Sequence, residues 1–148
     1  MGGVLWGYKT VALFDAWSIE HILSGISVGE AVKTNNKKHF EKFKNLTKHN
    51  HKSILRFNVI TVLFLAYFWE TIEHYLEIGL AGLTIEYWFQ GVEMWANRII
   101  TDPLMLVVGL FIAKRFPRII WHARLLSIIW LFVHIFIFPH SMYLHTIF

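Results

Sequence analysis

Glu70, Glu73, His74 and Glu77 stand at i, i+3, i+4 and i+7, directly after the apolar run Val59 to Phe68. On an α-helix this spacing gathers the four side chains within an arc of about 100°. Carboxylates and a neutral imidazole on one stripe are donors that zinc, copper or iron accept. Helical bundles build metal sites in this way, with Glu and His projecting from facing helices. His21, earlier in the chain, and Glu93, later in it, are donors of the same kind. The candidate metal set is therefore Glu70, Glu73, His74, His21 and Glu93, holding a divalent transition metal. Asp15, Glu20, Asn97, Arg98 and Asp102 are the polar residues expected to line the same site and contact a ligand.

Other chemistries find less support. The di-iron pattern Glu-x-x-His is matched neither by Glu70-x-x-Glu73-His74 nor by Ser18-x-x-His21. No serine occupies a nucleophile-elbow context. Cysteine is absent, which excludes disulfides and thiolate metal sites. His134, within Trp130 to Phe136, reads as a core histidine bonded to a neighbour. Three readings of the ionisable residues stay open. One is a structural network in which Arg98 and Asp102 pair at i, i+4. Another is a divalent-metal site. The third is a metal-free proton or ligand pocket containing a carboxylate kept protonated by burial.

The elements that must position these residues belong to a membrane. The chain has 148 residues, is 55% hydrophobic and 17% aromatic, and its mean hydropathy is +0.46. Four long apolar runs in so short a chain imply a polytopic membrane protein of one domain, residues 1–148. The expected fold class is all-α: an integral membrane four-helix bundle with short loops and one basic cytoplasmic linker. Helices are expected over about 10–32, 53–80, 88–114 and 118–139, with the linker at 33–52. Residues 81–87 read as a tight connection. Glu86, Gln90, Glu93 and Asn97 recur at helical spacing, and Pro103 predicts a kink or restart near Asp102. Ser24, Gly25, Ser27 and Gly29 are small residues that allow close helix approach. The first apolar stretch contains Asp15, Glu20 and His21 and lacks a basic leader, so no cleavable signal peptide is expected.

Charge sets orientation and partners. All Lys and Arg except Lys9 and Arg98 fall within 33–56 or 114–124. Both stretches belong on the cytoplasmic side, which places both termini outside. The basic loop would face anionic lipid headgroups. The net charge of +4 is concentrated in these loops, so nucleic acid is not an expected partner. With this topology the carboxylates other than Glu30 and Glu41 gather toward the outer side. A carboxylate at a helix centre costs about 2.5–3.5 kcal/mol, so the stripe cannot face lipid at mid-depth.

Asp15 followed by His21 and the small-residue run, Trp69-Glu70 with Glu73, and Glu93-Met94-Trp95-Ala96-Asn97 leading to Gly109 resemble the VanZ-like group of small membrane proteins. The resemblance covers the first three helices. It implies a bundle fold and an envelope role in glycopeptide or lipid-related stress, and it supplies no catalytic mechanism. The expected function is binding of a small envelope ligand or divalent metal at an outward-facing Glu/His/Asp site. The alternative is an accessory subunit of a larger membrane (metallo)enzyme complex, held to other membrane subunits, with a structural polar network.

Overall fold

The computed structural model describes residues 4–42, 51–89 and 91–137. Two three-residue strands, β1 (Val4–Trp6) and β2 (Ala12–Phe14), pair in parallel. Five α-helices follow: α1 (Ala16–Lys42), α2 (His51–Glu77), α3 (Leu83–Phe89), α4 (Asp102–Arg115) and α5 (Ile120–Phe132). π-helical turns lead into α4 at Asn97–Thr101 and continue α5 at Val133–Ile137.

The expected helix bounds need correction in several places. The first helix does not begin at residue 10. Asp15 caps it, its Oδ1 accepting the backbone N–H groups of Trp17 and Ser18 at 2.7 and 3.1 Å. Ser18 Oγ accepts the Asp15 N–H in return. Nor does α1 end at residue 32. It runs through the basic stretch to Lys42, supported by the Glu30–Lys33 and Lys37–Glu41 pairs and by a buried Asn36–Asn58 hydrogen bond of 2.9 Å. Residues 43–50 of the expected linker lie outside the described residues.

The second helix stops at Glu77 rather than at residue 80, because Gly79 takes φ +81°. The supposed tight connection contains α3. The third expected helix is broken: Gly91 takes φ +100°, and Glu93 lies on a non-helical segment. The Glu86–Glu93–Asn97 pattern is therefore not one continuous stripe, and Gln90 lies outside the described residues. The expected restart at Asp102 is present. A π turn becomes an α-helix there, one residue before Pro103, which has no N–H to donate.

Close backbone packing joins α1 to α4. A Cβ on Gly25 would sit 2.3 Å from the Leu106 carbonyl oxygen, and one on Gly109 would sit 2.4 Å from that of Ile22. Only glycine permits this approach, which the small-residue run predicted. Gly25 meets Leu106 and Gly29 meets Leu110, so α1 and α4 run in the same direction. α2 and α5 run the opposite way: His21 meets Glu70 while Asn36 meets Asn58, and Glu20 meets Ser127 while Ile26 packs with Ile120 and Ala123. Val32, Val62, Ala66, Leu106 and Leu110 fill the centre. This alternation puts the basic ends of α1 and α4 together. The carboxylates collect at the opposite end.

Of the described helices, one, over Lys52–Glu77, is long and apolar enough to cross a membrane.

Candidate functional site

Six carboxylates are buried at this end: Asp15, Glu70, Glu73, Glu77, Glu93 and Asp102. Two fixed cations, Lys9 and Arg98, are buried with them, as is His21. The carboxylates outnumber the cations, and in a low-dielectric interior the excess must be met by protons or by added cations.

The donors form two groups of three. In the first, α1 supplies His21, α2 supplies Glu70 and α4 supplies Asp102, each offering a ligand atom within 4.8 Å of the others. His21 Nε2 lies 3.0 Å from Asp102 Oδ2 and 3.7 Å from Glu70 Oε1. Glu70 is 2% exposed, yet neither of its carboxylate oxygens has a hydrogen-bond partner among the described residues. The nearest cationic atom of Arg98 is its Nε, 3.6 Å from Glu70 Oε2. Asp102 is anchored through Oδ1, which accepts the Ser18 hydroxyl at 3.3 Å. Its Oδ2 accepts no hydrogen bond among the described residues.

The second group is Glu73 and Glu77 of α2 with Glu93, again within 4.8 Å. Glu77 Oε1 receives Lys9 Nζ at 2.5 Å, and Oε2 receives Arg98 Nη2 at 2.5 Å and the Glu93 backbone N–H at 3.1 Å. Arg98 Nη2 also lies 3.4 Å from Glu93 Oε2. Asp15 completes the network, its Oδ2 accepting Asn97 Nδ2 at 3.2 Å. Asp15 and Glu93 stand on non-helical segments. Burial pushes the Glu93 carboxyl well above the usual carboxylate range, and the charges of Asp102, Glu73 and Glu70 push it further. Burial raises Asp15 too, and Asp102 adds to the shift; the Ser18 and Trp17 N–H groups oppose it.

The five-residue metal set does not converge on one point. His21 and Glu70 meet Asp102, while Glu73 and Glu93 meet Glu77. His74 belongs to neither group: its Nδ1 lies 3.2 Å from Arg98 Nη1. The reason is helical rotation, which carries position 74 to the rim of the stripe while 70, 73 and 77 turn inward. Glu20 also departs from the expected lining. Its Oε1 accepts the hydroxyls of Ser24 and Ser127 at 2.7 and 2.6 Å, between α1 and α5. Arg98 pairs with Glu70, Glu77 and Glu93 rather than with Asp102. His134 is buried against the rings of Trp17 and Trp130, as a core histidine. Sequence reasoning missed Lys9 and gave Glu77 no role in the site. The available signal was that Lys9 and Arg98 are the two basic residues outside the basic clusters.

Chemically, the first group offers one imidazole nitrogen and two carboxylates. Metal–ligand distances of about 2.0–2.2 Å allow donors at most about 4.4 Å apart. Both His21 contacts already satisfy that limit, so only a small closure between Glu70 and Asp102 is needed. Three protein ligands leave a position open for water or substrate. Comparison with protein-family models, curated proteins and solved structures yields no match.

Proposed function

We propose that the chain is an integral membrane four-helix bundle that binds one divalent transition metal through His21, Glu70 and Asp102. The observation that carries this reading is the Glu70 carboxylate, buried at 2% exposure with both oxygens unbonded among the described residues. A buried carboxylate without hydrogen bonds is strongly disfavoured unless it is protonated or meets a cation. The mixed nitrogen and oxygen donors suit zinc or iron, with copper next. The residues of the VanZ-like resemblance, His21, Glu70, Glu73, Glu93 and Asn97 among them, all stand in this buried network, in line with a role in the cell envelope.

Placement in a bilayer is supported by two exposed apolar faces. Ile60, Phe64 and Phe68 line one side of α2, and Trp121, Leu125 and Ile128 line α5. Faces of this size need a nonpolar covering. With the basic ends of α1 and α4 on the cytoplasmic side, against anionic headgroups, the metal site opens outward and both termini lie outside. The same faces favour a second reading, in which other membrane subunits cover part of them. Protein purified in detergent without chelators should carry about one zinc or iron per chain by elemental analysis. Metal-free protein that also fails to bind added zinc would refute the metal reading.

A further inference from the structure

The buried group around Glu77 already contains a cation. Lys9 is 1% exposed, and its ammonium lies 2.5 Å from Glu77 Oε1 and 5.3 Å from the centre of the Phe89 ring. The short loop between β1 and β2 carries it there, and the Lys9 carbonyl accepts the Met94 N–H at 2.8 Å. That bond ties the loop to the segment bearing Glu93. Glu73, Glu77 and Glu93 each present an oxygen within 4.8 Å of the others. Glu93 is 6% exposed, and its Oε2 has no hydrogen-bond partner among the described residues. An ammonium delivers one charge through three N–H donors, whereas a divalent ion delivers two charges and takes oxygen ligands directly. The geometry thus holds three carboxylate ligands around a place taken by a tethered monovalent cation.

We propose that Lys9 is the resident cation of a latent second divalent-metal site formed by Glu73, Glu77 and Glu93, and that it limits the wild-type chain to one ion. This rests on metal binding at His21, Glu70 and Asp102. With oxygen ligands alone, the latent site would select a hard ion such as manganese. Lys9 is joined to the fold, so dissolved ions do not displace it. Its removal leaves the carboxylates in place and frees the position.

The test uses the full chain in detergent micelles, with Mn²⁺ as the probe, read by equilibrium dialysis and electron paramagnetic resonance. Wild type and Lys9→Arg should bind one ion. Lys9→Met should bind two, with a spectrum broadened by the neighbouring spin. If Lys9→Met folds only when Mn²⁺ is present and then carries two ions, the ion has replaced the ammonium, as proposed. One ion in both wild type and Lys9→Met would overturn the latent site and leave the first site standing. No ion in wild type and one in Lys9→Met would do the reverse. Two ions in wild type would show that Lys9 bars nothing. Failure of Lys9→Met to fold with or without Mn²⁺ would also overturn the proposal.

Discussion

Glu70 and Glu77 are two turns apart on one helix, equally buried, and neutralised in opposite ways. Glu77 receives Lys9, Arg98 and a backbone N–H, so its needs are met by the chain itself. Glu70 has an imidazole at 3.7 Å and a guanidinium nitrogen at 3.6 Å, and no hydrogen bond from either among the described residues. Burial and acidity are the same at both places. What separates a structural carboxylate from a ligand-seeking one is whether donors supplied by the fold reach it.

The largest expected effect breaks the satisfied side. Glu77→Ala strands Lys9 and Arg98 without their principal partner, and losing one member of a buried pair costs about 3–5 kcal/mol. Its detergent melting temperature should fall further than that of any other variant here. Next comes Gly25→Val, whose added carbon overlaps the Leu106 backbone. Overpacking costs about 1–3 kcal/mol or more. Because α1 and α4 supply His21 and Asp102 but none of the second group, this variant should weaken zinc binding out of proportion to its stability loss, as calorimetric titration would read.

Asn97→Ala should cost about 1–3 kcal/mol, because Asp15 loses a donor deep inside the fold. Chemical denaturation would measure it. His74→Ala should have the smallest effect, below about 1 kcal/mol, with the zinc count unchanged. Loss of zinc in that variant would restore His74 to the site and break the division drawn between the two groups.

Much of this was legible in the sequence. The helical spacing of 70, 73, 74 and 77 placed three of four side chains on the buried face. The glycines at 25 and 29 announced the close α1 contact. The alternation of basic and acidic ends followed from where Lys and Arg fall. What the sequence did not reveal was pairing. Periodicity states which residues share a face, not which facing residue each one meets, so a single five-donor site split into two groups. Lys9 was illegible for a further reason: it sits on a loop between two three-residue strands, too short to leave a periodic signal. The break at Gly91 was hidden because the spacing of Glu86, Glu93 and Asn97 continued across it.

The contrast between Glu70 and Glu77 is tested most directly by thermal melting of Glu70→Gln beside wild type, each with and without zinc. Glutamine keeps the shape of the side chain and removes its charge. The account predicts that Glu70→Gln melts at or above the metal-free wild type, and that zinc raises the melting temperature of wild type alone. If Glu70→Gln is destabilised without zinc, or is stabilised by zinc as much as wild type, Glu70 is a structural carboxylate like Glu77 and the account is contradicted.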